Sequence, residues 1–339
     1  EIMRELTEKD PANTGWLHDL SVSWSKIADI EAKRGNLSQA RDAYEKALAI
    51  MLELTAKDPT NTEWHWLLGV SWKTFGDIEA KRGNLSQARD AYEKALAIML
   101  ELTAKDPTNT DWHWRLGVSW NRIGNSEEVQ GNLSQAHDAY EKALEIMREL
   151  TEKDPANTGW LHNLSANLNR IGDIEEKRGN LKQARDAYEK DLAIMLELAT
   201  KDPTNTKWQR NLGVSWSKIG DIEETQGNLP QARDAYEKAL AIMHGLAAKD
   251  PANTHWKREL SLSWTRIGDI EATRGNLSQA LDAYEKDLAI ILKLTKIDPT
   301  NTDWLRDLSA SWNNIGDIEA KRGNLSQARD AYEKALAIM

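Results

Sequence analysis

Arg122 and Arg170 stand beside Asn121, Asn125 and Asn169 at places that recur 48 residues apart. Guanidinium groups and side-chain amides together suit the recognition of a carboxylate, because the planar fork of arginine meets two oxygens at once and amides add further N–H donors. Trp66 and Trp114 share the same offset, and interface energy concentrates in tryptophan and arginine. Other chemistry finds less support. His65 and His113 lie one interval apart, but a metal site needs three or more converging ligands, and packed helices stand about 10 Å apart. The triplet "NLS" at Asn36, Asn84, Asn132, Asn276 and Asn324 matches a glycosylation acceptor, yet the same letters are explained by a helix start. The sequence carries no Gly-rich phosphate loop and no Ser-His-Asp set that stands out from the repeats. With no cysteine, thiolate catalysis and disulfides are excluded. No enzyme, cofactor or metal is expected.

The elements that must position these residues come from repetition. The phrase GNLSQARDAYEKALAI starts at Gly35 and recurs letter for letter at Gly83 and Gly323, with close variants at Gly131, Gly179, Gly227 and Gly275. A fixed period of this size marks a stacked array. Read in that register, the chain divides into repeats at 14–61, 62–109, 110–157, 158–205, 206–253, 254–301 and a truncated 302–339, with 1–13 closing a preceding repeat. Both ends fall inside a repeat, which reads as a fragment cut from a longer array.

Within 62–109, Trp64, Leu68, Trp72, Phe75 and Ile78 form one helical stripe. Thr62 supplies a hydroxyl at its start and Gly83 a stop. Leu85, Ala88, Tyr92, Leu96, Met99 and Leu102 form a second stripe, opened by Asn84 and Gln87 as a capping box and ended by Pro107. Pro230 takes the first turn of the equivalent helix, where proline is tolerated. Each repeat is therefore two helices of about 20 residues, about 30 Å long, antiparallel across short connections. The interval stays constant because each hairpin must dock on its neighbour in one register. Thirteen of the fifteen tryptophans recur on these stripes, as the Trp16 and Trp24 series, and read as core. Lys26 with Asp29, Lys218 with Asp221 and Arg266 with Asp269 read as self-neutralising pairs three residues apart. Asn125 then leaves Arg122 without its aspartate.

The stretch WKTFGDIEAKRGNLSQARDAYEKAL, with Trp72, Phe75-Gly76, Gly83, Ala88, Tyr92 and Ala95, resembles the tetratricopeptide repeat (TPR), and the match recurs in all seven repeats. The family repeat has 34 residues, so both helices here are extended by about two turns, as in the longer repeats of kinesin light chain and of bacterial signalling proteins. Leu168 and Ala28 depart from the signature, and Asp191 and Asp287 stand where alanine is expected. An unpaired buried carboxylate is costly, so each should be hydrogen-bonded or turned to solvent. The resemblance implies an all-α, right-handed superhelical solenoid of antiparallel helix hairpins, with a concave groove on the first helices that binds a protein or peptide segment. Carried onto this chain, the groove comprises Trp66, Val70, Lys73, Thr74 and Asp77, then Trp114, Val118, Asn121, Arg122 and Asn125, then Asn169, Arg170 and Asp173. The Asn and Arg set is similar to that with which chaperone adaptors of the family grip a peptide's terminal carboxylate. The alternative for Trp66 and Trp114 is that they lie flat over a neighbouring helix.

Composition agrees with a binding scaffold. Of 339 residues 29% are charged, with both signs interspersed and a net charge of −10. No basic face for nucleic acid or anionic membrane is expected, and no apolar run reaches the 18–20 residues of a membrane span. A cytoplasmic signalling or sensor protein is expected, with end-to-end self-association through uncapped repeats as the alternative.

Overall fold

The computed structural model describes residues 2–338. Those residues form fifteen helices and no strand. They are α1 (Ile2–Lys9), α2 (Thr14–Lys33), α3 (Leu37–Lys57), α4 (Thr62–Lys81), α5 (Leu85–Lys105), α6 (Thr110–Val129), α7 (Leu133–Lys153) and α8 (Thr158–Lys177). There follow α9 (Leu181–Lys201), α10 (Thr206–Thr225), α11 (Leu229–Lys249), α12 (Thr254–Thr273), α13 (Leu277–Ile297), α14 (Thr302–Lys321) and α15 (Leu325–Leu336). They group into two compact bodies, Glu1–Arg178 and Gly179–Met339. In the first body α2 pairs with α3, α4 with α5 and α6 with α7, while α3 packs on α4, α5 on α6 and α7 on α8. The second body continues the same order from α9 to α15. The pairs are antiparallel: Tyr44 reaches Asp29, Ser21 reaches the Ala47 carbonyl, and Lys57 reaches the Pro11 carbonyl.

The connection inside each hairpin is set by one glycine. Gly83 adopts φ +82°, a conformation open mainly to glycine, and lets its own N–H reach the Ala80 carbonyl while Asn84 N–H reaches that of Glu79. This closes the first helix with a Schellman turn. Two expected caps differ. The cap of α4 is Asn61, whose Oδ1 accepts from Trp64 N at 3.1 Å, and Thr62 is the first helical residue. Asn84 makes no capping bond at α5; its φ and ψ of −84° and 65° leave the extended region, and its amide donates to Glu79 Oε2 at 2.6 Å instead. The buried carboxylate thus fixes the amide through its Nδ2–H, and the Oδ1 that a cap would use accepts nothing from the helix start.

The core runs along the second helices, where Ala88, Ala91, Tyr92, Ala95, Leu96, Met99 and Leu102 of α5 are all buried. A Cβ on Gly76 would fall 2.6 Å from the Tyr92 ring, and one on Gly117 would fall 2.4 Å from Met147 Cε. Glycine at these two places gives the second helix its close approach. Ala28, wholly buried, fills the equivalent place in α2, and Tyr44 still reaches Asp29. Leu168 is buried where the other repeats carry tryptophan.

Asp191 and Asp287 are buried, and both are hydrogen-bonded. Ser215 donates to Asp191 at 2.7 Å. Asp287 accepts from Ser261 on one oxygen and from Ser311, at 2.6 Å, on the other. Burial pushes the Asp287 carboxyl above its usual range, and the hydroxyls of Ser261, Ser311 and Thr265 only partly oppose this. Where the equivalent residue is alanine, the serine turns to the backbone: Ser21 bonds the Ala47 carbonyl and Ser309 that of Ala335. Asp287→Ala therefore has a ready substitute bond, and Asp287→Ala and Asp287→Asn are each predicted to be neutral or stabilising at pH 7. A raised folded-state pKa means stability is lost as pH rises past the ordinary aspartate value of about 3.9. The advantage of both variants in thermal unfolding should thus shrink as pH falls toward 4. A loss above about 1 kcal/mol at pH 7 would show the carboxylate to be a needed contact.

Candidate partner-binding face

The first helices carry a ladder built from three residue types. A tyrosine of each second helix points back at an acid of its own first helix: Tyr92 to Asp77 at 2.9 Å, Tyr236 to Asp221 at 2.9 Å, Tyr284 to Asp269 at 2.6 Å and Tyr332 to Asp317 at 2.7 Å. Burial first, then these acids, raise the pKa of Tyr92, Tyr236 and Tyr284, so the hydroxyls stay protonated donors. The acid then takes a cation from the next first helix. Arg122 Nη1 lies 3.2 Å from Asp77, and Arg266 Nη2 lies 3.3 Å from Asp221.

This corrects two expectations. Arg266 pairs with the acid 45 residues back, in the preceding repeat, and not with Asp269 three residues on. Arg122 is held by Asp77, with Lys73 on the other oxygen at 3.2 Å. The physical reason is competition: each aspartate already serves a tyrosine of its own hairpin, which orients it toward the next first helix within reach of a guanidinium. The rung at Asn125 differs. Arg170 donates to its neutral amide oxygen and lies over the Tyr140 ring, whose hydroxyl sits 2.7 Å from both Asn125 and Glu128.

The other groove residues fall on α4, α6 and α8 of the first body. Val70 is exposed; Val118, Asn121, Asn169 and Asp173 are half-buried. Asn169 and Asp173 are both engaged, whereas Asn121 Oδ1 is buried without a hydrogen bond. Trp66 and Trp114 are half-buried and bracket one guanidinium, Arg115, at 4.8 and 5.6 Å from the ring centres. Trp66 also packs on the cluster containing Tyr92 and Leu116. The partner of Trp66 lies 49 residues on, the offset that joins Arg210 to Glu259 at 2.8 Å and Arg258 to Asp307 at 2.6 Å. Trp66 is thus one member of a series of clasps between successive first helices.

Two periodic contacts escaped sequence reasoning. Glu79, fully buried, is gripped by Arg82 at 2.8 Å, Asn84 at 2.6 Å and Arg41 of the preceding hairpin at 3.3 Å. Glu127, Glu175 and Glu223 are held likewise across hairpins by Arg89, His137 and Arg185. Burial raises Glu271, but Asn276, Arg233 and Arg274 outweigh it and hold the carboxyl below its usual range. The signal was a glutamate five residues before every Asn of the repeated phrase. The second contact sits on the Trp24 series, whose rings are half-buried and lie under lysine ammonium groups. Lys46 covers Trp24 at 4.4 Å, Lys94 covers Trp72 at 4.2 Å and Lys142 covers Trp120 at 4.1 Å. His65 and His113 each close onto a proline carbonyl at 3.0 Å.

The family model described as Tetratricopeptide repeat matches residues 309–338. The structure superposes on a Signal Transduction ATPase with Numerous Domains protein with a tetratricopeptide repeat sensor, from Pyrococcus horikoshii, with TM-score 0.61 and 16% identity over 96% of this chain and 43% of that one. The fold is a TPR-like array of helix hairpins. BtubC (BKLC) from P. vanneervenii is similar too, with TM-score 0.58 and 16% identity over 75% of this chain and 90% of that one. So is aspartyl phosphate phosphatase F from Bacillus subtilis, with TM-score 0.57 and 13% identity over 98% and 73%. No curated protein matches the sequence. At these identities the likeness concerns the fold: a TPR-like array whose first helices are tied by acid–base rungs.

The rung register is testable by double-mutant cycles on unfolding. Arg266→Gln with Asp221→Asn should couple by up to about 1 kcal/mol, weakening in salt, as for a partly exposed pair. Arg266→Gln with Asp269→Asn should couple less. The reverse order would restore the pairing within one helix.

Proposed function

We propose that the chain is a non-enzymatic, cytoplasmic scaffold that binds a protein or peptide segment on the first-helix face of its first body, within a larger signalling or sensor protein. The observation that carries the reading is the rung at Asn125. Arg122 and Arg266 each hold a carboxylate, whereas Arg170 holds a neutral amide. The acid nearby, Glu128, is taken by Lys177 and the Tyr140 hydroxyl, which leaves the Arg170 guanidinium with charge to share. A peptide carboxylate at Arg170, bordered by Asn121 and Arg122, with Trp114 as the apolar anchor, meets that need. The fold supports it, since a TPR-like array is a scaffold type that commonly mediates protein interactions. The Pyrococcus horikoshii protein carries its repeats as a sensor.

Peptide arrays printed in C-terminally free and amidated forms test this. The chain should retain the free form of selected sequences about tenfold better. Asn125→Asp, which gives Arg170 the carboxylate found at other rungs, should erase that preference, and Trp114→Ala should weaken both forms. Equal binding of free and amidated peptides, or an unchanged preference in Asn125→Asp, would remove the site assignment.

A second reading is end-to-end association of copies. Ile27 and Ile30 of α2 are 46% and 50% exposed, whereas their equivalents Ile171 and Ile174 are 6% and 0%. On α15, Leu336 is 68% exposed against 1% for Leu144, and it lines an apolar pocket of about 320 Å³ with Leu325 and Tyr332. These are the faces that successive hairpins use inside the array, so either a further repeat or the end hairpin of a second copy fits them. Light scattering across a concentration series should show mass rising with concentration, and Leu336→Asp should suppress the rise. A concentration-independent monomer mass leaves the scaffold reading alone.

A further inference from the structure

The rung ladder is broken in the opposite sense in the second body. Asp269 accepts the Tyr284 hydroxyl at 2.6 Å, as Asp221 accepts that of Tyr236. The residue 45 positions on, which supplies Arg122 to Asp77 and Arg266 to Asp221, is here Asn314. With no guanidinium above it, Asp269 is exposed, while the Asp77 and Asp221 side chains keep 23% and 27% of their surface. An open pocket of about 280 Å³ stands in that place, lined by Asp269 and Tyr284 with Asn314, Asp317, Ile318 and Lys321 of α14. Solvent reaches Asp269, yet protein walls it on three helices, and that crowding pushes its carboxyl up against the opposing Tyr284 and Arg266. Arg266 itself is turned back to Asp221. Two aspartates against one lysine leave the lining with an excess of one negative charge.

We propose that the pocket over Asp269 receives an arginine side chain from a partner protein, seated as Arg122 and Arg266 seat themselves in the equivalent places of this same chain. The internal rungs supply the template: a carboxylate fixed by a tyrosine hydroxyl meets a guanidinium arriving along the first-helix face, on its second oxygen at Asp221 and on the shared oxygen at Asp77. Arginine fits better than lysine because its fork can bond Asp269 while its plane lies beside the Tyr284 ring, as Arg266 lies 5.8 Å from the ring centre of Tyr236. Asn314 contributes an amide oxygen to a remaining N–H. The inference is independent of the carboxylate site in the first body.

The test uses the full chain with isotope-labelled isoleucine methyl and asparagine amide groups, titrated with N-acetyl-arginine amide and with its uncharged citrulline analogue. The arginine compound should shift the Ile318 methyl and Asn314 amide signals saturably, and the citrulline compound should not. Asn314→Arg should fill the pocket from within, abolish the response and leave thermal stability equal or higher. Asp269→Asn keeps the shape and should weaken binding about tenfold. Equal shifts from the two compounds, the absence of any saturable shift, or an undiminished response in either variant would overturn the proposal.

Discussion

A carboxylate buried at the turn of every hairpin after the first is the constraint on which the array depends. Glu79 has no exposed surface, and an ion so placed is tolerated only with charge and hydrogen bonds around it. Its partners come from three places: the helix end that carries Arg82, the start of the next helix at Asn84, and Arg41 of the hairpin before. The contact therefore joins the two helices of a hairpin and aligns that hairpin against its predecessor. Sliding one hairpin along its neighbour by a turn would take Arg41 away from the glutamate and leave it only the partners of its own hairpin. Apolar stripes alone tolerate such sliding, because one leucine replaces another at similar cost.

The face that remains is the row of first helices, and there the same economy of partners prevails. Tyrosine fixes aspartate, aspartate fixes the next arginine, and most charge is spent within the chain. Recognition on such a surface arises where a rung is incomplete. Asn125 leaves a cation under-used in the first body, and Asn314 leaves an anion under-used in the second. Two asparagines, each replacing a charged residue, give one place of each sign, and Thr74 withholds a cation from Asp29 as Asn314 does from Asp269. Surface complementarity of this kind governs which partner is selected more than how tightly it is held.

Much of this was legible in the residues, and the failures have a common cause. Gly83 and Pro107 marked the helix ends, the stripes marked the buried faces, and the aspartates at 191 and 287 were recognisably out of pattern. The rungs were not legible in the regular repeats. In a sequence with a 48-residue period, a partner three residues ahead and a partner 45 residues behind occupy the same phase. Lys218, with Asp221 three ahead and Asp173 45 behind, looks identical under either pairing. Only an irregular repeat distinguishes them, and Arg122, lacking an acid at 125 but bonded to Asp77, is the one that does. The cap at Asn84 failed differently: its letters suit a capping box, but that pattern looks only forward along the chain, and the glutamate that takes the amide lies five residues behind. Trp66 mixed both problems, since its partner Arg115 lies on another helix and its place tolerates histidine and arginine elsewhere.

Near-identity also creates a hazard during folding, because hairpins with one sequence can exchange partners at no cost in burial. Repeat proteins are prone to such misassembly. The buried aspartates act as addresses. Asp287 accepts from Ser261 of α12; were α13 to pair with α4, α6 or α10, it would face Gly69, Gly117 or Gly213, which have no hydroxyl to offer. Leu281, where most repeats carry arginine, packs into the apolar cluster around Tyr284, and Glu319 of the next hairpin is held from its own hairpin by Arg322 and Asn324. Alanine at 287 would make this chain more uniform and its correct assembly less distinguishable from the wrong ones.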